Sequence, residues 1–230
     1  MTEISVNVDV LEKNDLVAKT IREKLAHRKI LALNLLSSPG SGKTSILEKT
    51  LERLKGRFKC AIIEGDVQTS LDSERLEKKG FPVILINTGL GGGGCHLEAE
   101  QVASAVEKLL EDHLGPDSQL DLILIENVGN LVCPAEFEIG EDCKITVLSI
   151  TEGEDKPLKY PVAFRLSNVV LLNKLDLLPH LDFNMVLLKS NLANVHPKVK
   201  VINMSAKTGE GFDEWIDWLC EMIEKKKSGA

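Results

Sequence analysis

The stretch Ser37-Ser38-Pro39-Gly40-Ser41-Gly42-Lys43-Thr44-Ser45 carries the residue types that a bound triphosphate requires. Gly40 and Gly42 let successive backbone N–H groups converge on phosphate oxygens, and a helix starting just after them turns its positive end toward the same point. Lys43 is spaced to reach the β- and γ-phosphates and the Thr44 hydroxyl to ligate Mg²⁺, with Ser41 and Ser45 in the same cradle. The pattern G-x-x-x-x-G-K-S/T fails only at its first glycine, where Ser37 stands.

Two acids fall where a magnesium–nucleotide site needs them. Asp66 follows an apolar run in Ile63-Glu64-Gly65-Asp66, and Glu126 ends another in Ile125-Glu126-Asn127-Val128-Gly129-Asn130. A carboxylate at such a position holds the cation, directly or through water, or orients the attacking water. Lys43, Asp66 and Glu126 are the candidate catalytic residues, and the division of roles between Asp66 and Glu126 stays open.

Asn173-Lys174-Leu175-Asp176 and, some thirty residues on, Ser205-Ala206-Lys207 point to the base. The Asp176 carboxylate can accept from both the ring N–H and the exocyclic amine of guanine. Adenine has no matching donor pair and would leave the acid unpaired, a penalty that discriminates strongly. The Lys174 stem can lie over the purine, and the Ala206 N–H can meet guanine O6. The expected ligands are GTP and GDP.

Cys95-His96, after the glycine run at 91–94, and Cys133, in Val132-Cys133-Pro134, form a third constellation. Two thiolates and an imidazole suit Zn²⁺ or Ni²⁺, and three ligands leave one position for water or a second copy of the chain. Free cysteines are most often small buried hydrophobes, so packing remains the competing explanation. Cys60 and Cys220 sit in apolar patterns that read as core, and Cys143, between Asp142 and Lys144, reads as a surface thiol.

These groups can meet only if the elements carrying them end at one edge of a sheet. Apolar runs at 29–36, 59–63, 83–86, 121–125, 144–150, 169–172 and 199–202 alternate with helical patterns at 44–55, 71–79, 97–113 and 184–195. Val10, Val17, Ile21 and Leu25 mark an opening helix, and Phe212, Trp215, Ile216, Leu219 and Ile223 a closing one that ends in lysines. Runs apolar at nearly every residue, separated by helices, predict an α/β fold: a mostly parallel sheet flanked by helices on both faces, the three-layer P-loop NTPase arrangement. We divide the chain into an N-terminal helical extension at 1–28 and a P-loop GTPase domain at 29–230. In such sheets ligands bind beyond the carboxyl ends of the strands.

Composition narrows the classes. The 230 residues carry 28 Lys+Arg against 35 Asp+Glu, a net charge of −7, with no long basic block, which argues against a nucleic-acid or anionic-membrane surface. No apolar stretch approaches the roughly 18 residues of a membrane span. The N-terminus does not read as a secretory signal, and the five cysteines are an odd number, so a reducing cytoplasmic setting is expected.

Taken in order, S-S-P-G-S-G-K-T, E-G-D, C-H-L-E-A, E-N-V-G-N-L-V-C-P-A, T-E-G-E-D-K-P-L-K-Y-P, N-K-L-D and S-A-K-T-G-E-G resemble the HypB family over 33–218. HypB proteins are GTPases that help insert nickel into nickel–iron hydrogenase, and they are similar to the urease GTPase UreG. The resemblance implies a nickel metallochaperone whose GTP cycle controls homodimerisation and metal hand-over. It also implies Cys95, His96 and Cys133 as ligands for Ni²⁺ or Zn²⁺ at the dimer interface. Other hydrogenase maturation factors and the hydrogenase large subunit are the implied partners. A serine in place of the first P-loop glycine is common in that family.

Two features depart from it. Residues 1–11 lack the C-x-x-C-G-C motif or histidine tract of some members, so a second, tighter nickel site is not expected. Five residues at 90–94, four of them glycine, separate Thr88-Gly89 from Cys95 where the family has about two, and a lysine common there is missing. No arginine finger is identifiable, so isolated GTP turnover is expected to be slow. The acids Glu152, Glu154 and Asp155, with Lys156 and Lys159, stand open between a dimer contact and a solvated loop. Alternative readings are a GTPase serving urease or another metalloenzyme, and a metal carrier whose nucleotide site is structural.

Overall fold

The computed structural model describes residues 6–66, 76–89, 94–112 and 119–229. Among these, seven strands pair in parallel: β1 (Leu31–Ser37), β2 (Cys60–Asp66), β3 (Val83–Asn87), β4 (Leu122–Glu126), β5 (Cys143–Ser149), β6 (Val169–Asn173) and β7 (Lys200–Asn203). Their order across the sheet is β3-β2-β4-β1-β5-β6-β7. β1, β4, β5 and β6 are buried at every residue, as strands covered on both faces must be.

The helices sort by face. Apolar stripes of α2 (Lys43–Leu54) and α8 (Phe212–Ser228) pack on one side, with Leu47, Leu51, Trp215 and Leu219 against Leu33, Leu124 and Val147. On the other side α1 (Val6–His27) and α3 (Ala99–Asp112) cover Ala32, Ile63 and Ile123, while α6 (Pro161–Arg165) and α7 (Met185–Val195) cover Val170 and Leu172. Two further short helices, α4 (Cys133–Glu136) and α5 (Lys156–Lys159), lie in the loops after β4 and β5. Among the described residues no helix is long and apolar enough to cross a membrane.

α1 enters the core with Ala18, Ile21 and Leu25, each at most 3% exposed. It is fastened by polar contacts as well. Asn14 donates to the Glu138 carbonyl at 2.7 Å and accepts from Ala99 N–H at 2.9 Å at the start of α3, and Arg22 pairs with Glu138. The close approach requires Gly140, at φ +89°, because a Cβ there would lie 2.5 Å from Ile21.

The structure corrects several details. Strand ends shift by one to three residues, so that Asp66 closes β2 rather than following it. Cys143 is not a surface thiol: it opens β5, pairs with Leu33 of β1, is 5% exposed, and burial beside Asp142 pushes its thiol up to about 11. Alternating charges around it at 142 and 144 concealed a strand buried on both faces. Of the helix expected at 71–79, residues 71–75 lie outside the described residues and 76–78 are helical. The side chains of Val10 and Asp66, residues 91–93 of the glycine run, and His113 also lie outside them.

Candidate nucleotide and metal site

At the carboxyl end of β1 the chain turns through Gly40 (φ +74°) and Gly42 (φ +95°) into α2. Gly42 is the helix N-cap and supplies no side-chain cap, so the first-turn N–H groups face the loop. No other residue fits: a Cβ on Gly42 would lie 2.4 Å from Asn173 Nδ2. That amide donates to the Ser41 carbonyl at 2.9 Å, and Asn173 Oδ1 accepts the Ala206 N–H at 2.9 Å. Asn173 therefore ties the loops after β1, β6 and β7 together. The Ala206 N–H, read from sequence as a partner of guanine O6, is engaged in this tie.

Lys43 is buried and donates from Nζ to the Asn127 carbonyl, with Glu126 Oε1 3.5 Å away. Thr44 Oγ1 donates to the same Glu126 oxygen at 2.9 Å. A cleft of about 720 Å³ opens here, lined by the 37–45 loop, Glu64, Gly65, 126–129 and Lys174. A second, of about 390 Å³, shares Gly42, Ser45 and Lys174 with the first and adds Asn173, Asp176, Ala206 and Lys207. The shared residues make the two continuous, one polar enough for phosphates and one shaped by the residues read as contacting the base. Lys174, left-handed at φ +66°, donates to the Gly40 carbonyl at 2.6 Å, so its stem borders both. Ser205 is buried; its hydroxyl donates to Asp176 Oδ1 at 2.6 Å and accepts from the Lys207 and Thr208 N–H groups. Lys156, from the acidic segment after β5, donates to Ser38 Oγ at 3.2 Å and pairs with Glu152 at 3.4 Å. Only the backbone of Asp66 is described, level with Asn87 at the end of β3.

The structure gathers the ligand atoms of Cys95, His96 and Cys133 within 4.8 Å of one another. Cys95 and His96 precede α3, and Cys133 opens α4. The imidazole lies against Phe137 with ring centroids 3.9 Å apart and the planes tilted by 34°, and Cys95 Sγ lies 3.5 Å from His96 Nδ1. His96 Nε2 is buried with no hydrogen-bond partner among the described residues. The hydrogen bond with Cys133, together with burial, pushes the Cys95 thiol up; burial pushes the His96 imidazole down against the opposing charge of Glu98. A neutral imidazole and two adjacent sulfurs form a donor set for a borderline-soft cation. Asn130 joins the two segments, donating to the Cys95 carbonyl at 3.2 Å and accepting from Val132 N–H at 3.0 Å. Gly129 brings this loop against the phosphate loop, since a Cβ there would lie 3.1 Å from Pro39.

Sequence reasoning missed Asn127, Asn130 and Phe137 as parts of the site. Asn127 and Asn130 stand inside the E-N-V-G-N motif at 126–130, but nothing in their spacing reveals partners thirty or more residues away.

A parallel sheet whose glycine-rich first turn holds a buried lysine beside an acid at the end of the neighbouring strand β4 defines a P-loop nucleotide-binding protein. Residues 31–203 match the CobW/HypB/UreG nucleotide-binding domain. The hydrogenase maturation factor HypB of Escherichia coli (strain K12) is 50% identical over 216 residues, covering 94% of this chain and 71% of that protein. Among solved structures, HypB from Archaeoglobus fulgidus superposes with a TM-score of 0.83 at 35% identity, covering 93% of this chain and 100% of that one. HypB from Helicobacter pylori in complex with nickel gives 0.84 at 37% identity, covering 94% and 96%. The chain belongs to the CobW/HypB/UreG family, within its branch of HypB hydrogenase maturation factors.

Proposed function

We propose that this chain hydrolyses GTP to GDP and phosphate and uses that cycle to bind and release nickel during maturation of nickel–iron hydrogenase. The observation that carries the reading is the eight-residue segment at 126–133. It starts with the acid paired to the phosphate-loop lysine and ends with a cysteine of the metal trio. The nickel complex of the Helicobacter pylori relative supports the choice of cargo. Zn²⁺ suits the same three donors and competes for them.

In this reading Lys43 and the α2 N-terminus hold the β- and γ-phosphates, and Asp176 holds the guanine edge. The Thr44 hydroxyl and the Glu126 carboxylate, already within 2.9 Å of each other, are hard oxygen donors that fit Mg²⁺, which when bound neutralises charge on the phosphate oxygens. Asp66 and Glu126 are the groups available to orient water for in-line attack on the γ-phosphorus. That attack breaks the bond to the β-phosphate oxygen and yields GDP, phosphate and a proton. No arginine lines either cleft among the described residues, so turnover by the isolated chain is slow. The chain acts in the cytoplasm, dimerises when it binds nucleotide, and works with other maturation factors and the hydrogenase large subunit.

The test is equilibrium titration with Ni²⁺ and Zn²⁺ in the presence of GDP and of a non-hydrolysable GTP analogue, with mass followed in parallel. Nickel affinity and mass are expected to differ between the two nucleotides, and GTP but not ATP to release phosphate. Identical affinities with no phosphate release would leave a metal carrier with a structural nucleotide site.

A further inference from the structure

Asn127, the first residue beyond β4, is 1% exposed and uses every polar group it has. Its carbonyl accepts the Lys43 ammonium, and its N–H donates to the Leu35 carbonyl at 3.2 Å. Its side-chain Oδ1 accepts the Leu97 N–H at 3.2 Å and the Val128 N–H at 3.0 Å, and Nδ2 donates to Asn34 Oδ1 at 3.2 Å. Leu97 directly follows His96, and Val128 leads through Asn130 to Cys133. One residue thus touches the phosphate-loop lysine with its backbone and both segments of the metal trio with its side chain.

The contact on the lysine side is one that a ligand contests. A phosphate oxygen is a stronger acceptor for an ammonium than a neutral amide carbonyl is. A cation on the Thr44 oxygen contests the Thr44–Glu126 bond one residue earlier in the same way. A buried carbonyl whose donor is drawn away must re-aim, because leaving it unpaired is costly. The side chain on that residue is rigidly held, so re-aiming at 127 moves the Leu97 and Val128 N–H groups. With them move sulfur and nitrogen donors that are at most 4.8 Å apart. Behind Asn127, Asn34 donates to Glu141 at 3.1 Å, and Glu141 pairs with Lys144 at 2.6 Å; this buried anchor makes displacement on the solvent side the easier response.

We infer that Asn127 is the positioning residue through which phosphate bound at Lys43 sets the geometry of the Cys95, His96 and Cys133 donors. By thermodynamic reciprocity, bound metal changes the grip on phosphate through the same residue. This rests on the nucleotide-controlled metal binding proposed above and supplies the residue that transmits it.

The experiment measures the nickel dissociation constant of the full chain without nucleotide and with saturating Mg–GDP or Mg–GTP analogue, for the wild type and for Asn127→Ala. The substitution keeps the carbonyl that faces Lys43 and removes the side-chain arm. A wild-type ratio of about fivefold or more is expected, within the usual range for coupled sites. In Asn127→Ala the ratio should fall to within about twofold of unity while nickel and Mg–GDP each still bind. A variant that binds both and keeps the wild-type ratio overturns the role of Asn127 and leaves the proposed function standing. A wild-type ratio of one removes nucleotide control of metal binding, and the inference with it. Should Asn127→Ala fail to fold, nitrogen-15 spectra of the wild type decide. The Leu97 N–H and the Asn127 side-chain amide must shift when Mg–GDP is added without metal, and unmoved signals overturn the inference.

Discussion

At the scale of single residues, metal binding by Cys95, His96 and Cys133 as proposed would be linked to proton release. The Cys95 thiol sits above its ordinary range because of the Cys133 hydrogen bond and burial, so at neutral pH it is protonated and a bound cation must displace that proton. The His96 imidazole sits below its ordinary range, so it is already neutral there and costs nothing to deprotonate. Nickel affinity should therefore rise with pH between 7 and 8 by about tenfold per proton displaced. Cys95→Ser should weaken binding by tenfold or more and flatten the slope, while GTP turnover changes by less than about tenfold, or 1.4 kcal/mol on the barrier. A competition titration with a chromophoric chelator across that range checks both. The candidate ligands themselves were legible in the sequence because their types are rare and their flanking glycines and proline mark loops. The buried polar group behind them was not: Asn34, Glu141 and Lys144 stand in or beside apolar runs, and the Asn34–Glu141 bond that ties the group to β1 joins residues 107 positions apart.

At the scale of elements, the strands and long helices were readable because burial on both faces writes an unbroken apolar run, whereas a helix stripe repeats every three or four residues. The short helices α4, α5 and α6 were not, since four or five residues carry no periodicity. How α1 docks was equally hidden, because Gly140 reveals its purpose only when Ile21 lies against it. Gly140→Ala should destabilise the fold more than Gly56→Ala. Both glycines have positive φ, +89° and +81°, so both substitutions carry the left-handed penalty of about 1–2 kcal/mol. Only at 140 does the new methyl meet Ile21 and the Ala18 carbonyl, adding about 1–3 kcal/mol of overpacking. Urea unfolding of the two variants measures the difference. The polar side of the same junction predicts a pH effect. Burial raises the Glu138 carboxyl, but Lys144 and Arg22 outweigh it and hold the group below the usual carboxylate range. A depressed pKa stabilises the fold above the unfolded value and ceases to do so as pH falls through the folded one. The stability gap between wild type and Glu138→Gln should accordingly be full at pH 7 and shrink as pH falls below the ordinary glutamate value of about 4.3.

At the scale of the whole molecule, what the sequence left open was strand order, and that order builds the site. β4 is inserted between β2 and β1, setting Glu126 level with Leu35 on one neighbour and Glu64 on the other, beside the phosphate loop. The metal trio follows β3 and β4 on one side of β1, and the loops expected to hold the base follow β6 and β7 on the other. A guanine nucleotide bound as proposed would bridge loops from β1, β6 and β7 and so tie the centre of the sheet to one edge. Such a ligand stabilises the folded state by about 2.7 kcal/mol at a hundred times its dissociation constant. For a chain of this size each kcal/mol moves the melting temperature by roughly 2–4 °C, so Mg–GDP should raise it by about 5–11 °C and Mg–ADP by little. Asp176→Asn turns an acceptor into a donor, which faces the guanine N–H groups with another N–H but matches the extra carbonyl of xanthine. Its melting temperature should then ignore guanosine diphosphate, moving less than about 2 °C, and respond fully to xanthosine diphosphate. Retention of the guanosine shift in that variant would mean that the carboxylate held by Ser205 does not read the base, and that recognition belongs elsewhere in the second cleft.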